Sequence, residues 1–206
     1  MIVRLELAPG EVLNEAELMD KLELGRTPIR EALQRLRRDQ LVTILPRRGV
    51  FVTSVDIDDL PMLFNSRAVI EPHLAELAAV RGSVEDWNEI EEILARAEDP
   101  AAASDAETLL EADNRCHEIV WKAAGNRFLT ATADMLYAQS NRLWHLYLSE
   151  IDDMRPAVAE HRKIVEALRA GDGTRAAQLT EKHIRTFEQE IRQRMQKRLE
   201  SHVVPR

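Results

Sequence analysis

Residues 14–53 read NEAELMDKLELGRTPIREALQRLRRDQLVTILPRRGVFVT, and the fold of the N-terminal part follows from this stretch. Two helical patterns, 14–23 and 27–39, flank Leu24-Gly25-Arg26, where Gly25 is expected to supply a tight turn. Pro28 is tolerated because it falls in a first helical turn. This is the spacing of a helix-turn-helix. Leu41 to Ile44 and Val50 to Thr53 are β-prone runs joined by Pro46-Arg47-Arg48-Gly49, which predicts a hairpin with two cations at its tip, a basic wing. Ile29, Leu33 and Leu36 recur at helical spacing and predict the buried stripe of the second helix. Arg26, Thr27 and Arg30 at its start then stand where a helix-turn-helix protein enters a major groove, with guanidinium and hydroxyl groups suited to base edges and phosphates. The alternative is a charged face that only solvates a surface helix. Arg47 and Arg48 on the wing, beside Gly49, weigh toward DNA.

Charge divides unevenly around that stretch. The 206-residue chain has a net charge of −8, yet residues 1–54 hold nine Lys and Arg against eight Asp and Glu, and the remainder 19 against 28. Within 25–48 seven Arg face only Glu31 and Asp39, so this is where a polyanion is favoured. An apolar content of 45% suffices for one or two domains with sizeable cores. A single cysteine excludes an intramolecular disulfide framework and fits a reducing compartment. No apolar run approaches the roughly 20 residues needed to span a bilayer, and no signal sequence opens the chain. A cytoplasmic protein without a membrane partner is expected.

From Asp56 onward the pattern is helical almost throughout, with helices expected near 57–81, 84–97, 105–124, 127–149, 154–170 and 174–199. Breaks are expected at Gly82-Ser83, Asp99-Pro100, Gly125-Asn126, Asp152-Asp153 and Gly171-Asp172-Gly173, with a short Ala-rich turn over Pro100–Ala103. The fold class is mostly α, with a DNA-binding domain over 1–55 and an all-helical domain of about six helices over 56–206. Asp113 and His117 form an i, i+4 pair within the apolar stripe Leu110, Val120, Trp121 and Ala124. His161 interrupts Val158, Ile164, Val165 and Leu168, and His183 lies between Leu179 and Phe187. A lone core histidine is more often hydrogen-bonded than a ligand. Three of them with a carboxylate suit zinc, nickel, iron or manganese, and on spacing alone the two readings stand level.

Arg67 lies on the buried stripe of its helix, Leu60, Leu63, Phe64, Ile70, Leu74, Leu77 and Ala78, and so needs an anion. That anion is either an internal partner, Glu71 or Asp113, or a bound effector. Arg142 on the 127–149 pattern is a second candidate for capturing a carboxylate. Cys116 sits off the Asp113 face and is expected in the core, as are Trp87, Trp121 and Trp144. His73, His145 and His202 lack partners at metal spacing, and Pro72 is expected to kink or open its helix. No His-Glu-x-x-His motif and no Glu three residues before a His is present, which argues against a metalloenzyme.

The strings PGEVLNE, GRTPIREAL and PRRGVFV, in this order and spacing over about 45 residues, closely resemble the winged helix-turn-helix of GntR-family bacterial transcription regulators. The resemblance implies that Arg26 and Arg30 contact operator DNA with Thr27 beside them, and that the wing around Arg48 and Gly49 enters the minor groove. Family members usually carry Ser where Gly25 stands, Gly where Gln40 stands, and a further helix before LELAPGE, so this domain is expected to lack its first helix or to start upstream. SRAVIEPHLAELAA, DNRCHEIVWKAAGN, EHRKIVEALRAGD and AAQLTEKHI are similar to the FCD effector domain of the FadR subfamily. That likeness implies a divalent metal, zinc foremost, on Asp113, His117, His161 and His183, and a small carboxylate effector held by the metal and an arginine such as Arg67. The expected whole is a homodimeric, ligand-responsive transcription regulator, a repressor that is not an enzyme. A metal-dependent enzyme, or a metal-stabilised binding protein that no longer reads DNA, is the alternative.

Overall fold

The computed structural model describes residues 1–99, 105–147 and 155–202. The expected breaks at Asp99-Pro100 and Asp152-Asp153, the Ala-rich turn, the last residues of the 127–149 pattern and the His202 side chain fall outside what it describes. The N-terminal unit is built from β1 (Val12–Leu13), α1 (Glu15–Leu22), α2 (Arg26–Arg38), β2 (Val42–Leu45) and β3 (Gly49–Val52). Its core is Ile2, Leu13, Leu18, Ile29, Leu33, Leu41, Val42 and Val52. The β2–β3 hairpin has the antiparallel register Val42↔Val52 to Leu45↔Gly49. The two-residue β1, too short to signal itself in the sequence, pairs Val12↔Phe51 on the other edge of β3, giving the sheet order β1-β3-β2. Ahead of β1 the chain turns twice, first with Leu5 N–H on Ile2 O at 3.1 Å and then with Glu11 N–H on Ala8 O at 3.0 Å, and Ile2 sits in the core.

The turn between α1 and α2 works differently from the expectation for Gly25. The left-handed residue is Glu23 (φ 53), the C-cap of α1, while Gly25 is extended (φ −71, ψ 168) and is the N-cap of α2 without a side-chain hydrogen bond. Gln40, at φ 60, ends α2 in a similar manner, and Leu41 N–H reaches back to Leu36 O at 2.8 Å.

A short 3-10 turn (Ile57–Asp59) leads into the helical unit: α3 (Leu60–Arg81), α4 (Val84–Ala97), α5 (Ala106–Ala123), α6 (Arg127–Tyr147), α7 (Arg155–Arg169) and α8 (Gly173–His202). These six helices share one apolar core running from Leu60 to Ile191. The breaks follow local chemistry. Ser83 and Asp86 form a reciprocal capping box at the start of α4, and Asp105 caps α5. Gly82 is needed because a Cβ there would lie 2.2 Å from the Trp87 ring. Pro72 leaves α3 assigned as helix throughout, so the opening expected at this point is not found. α3 packs most extensively on α8 and also contacts α5, α6 and α7, which makes it the central strut of the bundle.

Candidate metal centre and nucleic-acid interface

Three helices bring the expected ligands together. α5 carries Asp113 and His117 one turn apart, α7 carries His161, and α8 carries His183, each side chain about 5% exposed or less. One donor atom from each lies within 4.8 Å of the others. His183 Nε2 and His161 Nε2 stand 3.4 and 3.6 Å from Asp113 Oδ1, and His117 Nε2 stands 3.8 Å from Asp113 Oδ2. Asp113 Oδ1, His117 Nε2 and His161 Nε2 are buried without a hydrogen-bond partner. Polar atoms so placed are costly unless a cation completes them.

The opposite edge of every imidazole is occupied. His117 Nδ1 meets Glu71 Oε2 at 3.0 Å, His161 Nδ1 meets the Ala157 carbonyl at 3.0 Å, and His183 Nδ1 meets Glu160 Oε2 at 3.0 Å. An acceptor at Nδ1 orients each ring with Nε2 inward, so that a ring without a proton there presents its lone pair to the centre, the arrangement that metal-ligating histidines use. Tyr137 of α6 donates to Asp113 Oδ2 at 2.6 Å, leaving Oδ1 as the inward oxygen. The donor set therefore fits a divalent ion. Burial pushes the Asp113 carboxyl up, but the three imidazoles overcome this and hold it well below the usual carboxylate range. Burial and the His183 charge push the His161 imidazole down to about 3, whereas Asp113 and Glu160 outweigh burial at His183 and hold it at about 9. Cys116 is buried outside this donor group, its thiol pushed up by burial and by Asp113.

Arg67 adjoins the cluster. Its Nε donates to Glu71 Oε1 at 2.5 Å, one terminal nitrogen to Glu71 Oε2 at 3.3 Å and the other to Ser140 Oγ at 2.9 Å. The guanidinium also lies 4.9 Å from the Tyr137 ring centroid. Glu71 is thus the internal partner left open by the sequence, and it serves Arg67 and His117 at once. Burial raises its carboxyl, but Arg67 and His117 prevail and hold it at about 2. The structure does not bring Arg142 to this cluster: its guanidinium donates to the Thr53 carbonyl and, at 3.2 Å, to Gln139 Oε1. This counts against the effector role expected for it.

The basic residues singled out in the sequence lie in the N-terminal unit. Arg26 and Thr27 open α2 with exposed side chains, and Ile29 and Leu33 on its other face are buried. Arg30, also exposed, is held by Glu15 of α1 through Nε–Oε2 at 3.0 Å. Arg47, Arg48 and Gly49 form the exposed hairpin tip, with Arg48 N–H on Leu45 O at 3.1 Å and left-handed backbone at Arg47 (φ 61) and Gly49 (φ 110). His73 is an exposed partner of Glu76, and Trp87, Trp121 and Trp144 are buried in the bundle as expected. Tyr137, Glu160 and Ser140 escaped the sequence reading. Glu160 adjoins His161 in the chain but serves His183, and no spacing rule signals a contact across 23 positions.

A winged helix-turn-helix joined to a helical bundle with a buried Asp and three His defines a DNA-binding regulator with a C-terminal effector domain. Residues 1–52 match the family described as bacterial regulatory proteins, gntR family, and residues 62–186 match the FCD domain, a family associated with metal binding. The chain belongs to the GntR family, in its FadR-like branch with an FCD domain. It is similar to the HTH-type transcriptional repressor GlaR of Escherichia coli K12, 29% identical over 196 residues that cover 90% of this chain and 88% of GlaR. A regulator from an unstable DNA locus of Streptomyces ambofaciens is 30% identical over 93% of this chain and 80% of its own. The solved structure of E. coli McbR/YncC superimposes with a TM-score of 0.82 at 20% identity, covering 94% of this chain and 92% of that one. These relatives are transcription regulators, not enzymes. Among the described residues no helix is long and apolar enough to cross a membrane.

Proposed function

We propose that operator binding by this regulator is modulated by a small organic acid held beside a divalent metal in the helical domain. The observation that carries the reading is the convergence of three imidazole Nε2 atoms on Asp113 while every Nδ1 is occupied behind them. Asp113, His117, His161 and His183 would hold the ion; imidazole and carboxylate donors suit zinc first, then nickel, manganese or iron. When bound, such an ion would supply a Lewis-acidic positive charge that attracts a carboxylate. Three of the five N–H donors of Arg67 are engaged by Glu71 and Ser140, which leaves two for the anion.

Residues 1–55 read DNA and 56–206 carry metal, effector and dimer contacts. Arg26, Thr27 and Arg30 face the major groove, with Arg47, Arg48 and Gly49 on the wing. The protein acts as a cytoplasmic homodimer on paired half-sites. Repression is supported by GlaR and RspR, both named as repressors.

Metal analysis of protein purified without chelator tests the reading. About one ion per chain is expected, lost with a lowered Tm in His161→Ala and His183→Ala. Operator titrations with a panel of mono- and dicarboxylates follow. Arg67→Lys keeps a cation beside Glu71 and is expected to keep the metal while losing the response, because an ammonium lacks the guanidinium fork. Absence of stoichiometric metal, or full retention in both histidine variants, overturns the metal assignment.

A further inference from the structure

We propose that α6 is the mechanical link between the metal centre and the DNA-binding unit, with Tyr137 on one face and Gln139 and Arg142 on the opposite face acting as positioning residues. Ala133, Tyr137, Ser140 and Trp144 recur at helical spacing and are buried in the bundle. From this stripe Tyr137 donates to Asp113, and Ser140 accepts from Arg67 and donates to the Tyr137 carbonyl at 2.9 Å. Gln139 and Arg142 project about half a turn away. Gln139 Nε2 donates to Asp39 O at 2.9 Å, and Asp39 is the C-cap of α2. Arg142 donates to Thr53 O, the residue that follows β3 of the wing, and braces Gln139. Both elements that carry the DNA-facing arginines are therefore held through their backbone ends by one turn of one helix.

Two features favour a link over incidental packing. Arg142 is fully buried, and among the described residues no carboxylate pairs with it; a buried guanidinium spent on a main-chain carbonyl and a side-chain amide is a costly way to fill space. Beside it, a cleft of about 310 Å³ lies between residues 53–56, which follow β3, and α6, lined by Thr53, Ser54, Asp56, Met135 and Gln139 among others. The two polar contacts bridge the units beside this gap, together with Ala138 packed on the N-terminal core and the exposed Arg4–Glu107 pair at 3.6 Å. A shift of Asp113 on ligation is passed by the Tyr137 hydroxyl to α6, and by Gln139 and Arg142 to α2 and the wing.

The proposal concerns the regulation inferred above, and the experiment separates the two. Hydrogen exchange is followed by mass spectrometry on the full chain, zinc-loaded and chelated. In the wild type, chelation is expected to raise exchange in peptides spanning 39–56 and in α6. Tyr137→Phe, zinc-loaded, is expected to show part of that rise. Gln139→Ala, at a half-buried position, and Arg142→Ala are expected to keep the zinc content while exchange over 39–56 becomes independent of zinc; Arg142→Lys, which can still donate to Thr53 O, restores part of the dependence. In operator titrations a zinc-dependent change of fivefold or more in the wild type, the lower end of typical coupling, collapses to within about twofold in both alanine variants. Zinc-independent exchange over 39–56 in the wild type, or an unchanged zinc response in Gln139→Ala, overturns the link. A zinc response in exchange without any in operator affinity overturns the regulatory reading and leaves the link standing.

Discussion

Glu71→Gln is the substitution whose consequence the geometry defines most closely. The carboxylate, 0% exposed, accepts from Arg67 at 2.5 and 3.3 Å and from His117 at 3.0 Å. Glutamine keeps the shape but offers one acceptor oxygen and an NH2 group, so in either orientation an N–H confronts a buried donor, and Arg67 loses its counter-charge. Breaking a buried pair from one side costs about 3–5 kcal/mol. The fall of the Glu71 carboxyl from its ordinary 4.5 to about 2 corresponds independently to roughly 3 kcal/mol. The expected loss is therefore about 3–4 kcal/mol in metal-free protein at pH 7, measured by urea unfolding. Trp87, Trp121 and Trp144 all lie in the bundle, so their fluorescence reports that unit alone. Because the folded-state value is the lower one, this stability is complete above about pH 4.5 and disappears as pH falls toward 2. The difference between wild type and variant is expected to close over that window. Replacing both partners, Arg67→Met with Glu71→Leu, is expected to cost less than Glu71→Gln. A loss below 1 kcal/mol at pH 7, or a gap that persists unchanged to pH 2, would refute the account of this pair.

Other expectations follow from particular residues. His183, held at about 9 in the metal-free site, carries a proton at neutral pH that an incoming ion must displace. Calorimetry in buffers of different ionisation heat is expected to show proton release near pH 7, with apparent metal affinity rising as pH approaches 9; pH-independent affinity would contradict it. Arg26→Ala or Arg30→Ala is expected to weaken operator binding by about 1–3 kcal/mol if each contacts a base edge, with the fold intact because both side chains are exposed. Unchanged affinity in both removes them from the recognition surface. Gln40→Gly is expected to raise thermal stability by about 1 kcal/mol, since φ is 60 there and glycine adopts that conformation without strain. A lowered Tm would mean that the Gln40 side chain does more than terminate α2.

The sequence by itself determined everything that depends on neighbours within a turn or two. The two helices and the wing, the arginines on their solvent side, the six longer helices and the Asp113–His117 pair are local periodicities, legible because burial repeats at helical spacing. Even so, the left-handed residue was misplaced: glycine permits positive φ without requiring it, and Glu23 takes that conformation because the end of α1 does. Periodicity put His161 and His183 on buried faces as candidate ligands beside Asp113 and His117, and resemblance tipped that even choice toward a shared metal. Only the tertiary structure decided what stands behind each ligand. Glu71 under His117, Glu160 under His183, Tyr137 on Asp113 and Arg142 on Thr53 are contacts between helices or between units, fixed by how the helices cross. A helix pattern specifies which face is buried but not its rotation or height against a neighbour. That is why Arg142, which reads in the sequence as a carboxylate binder, is found holding a main-chain carbonyl where the two units meet.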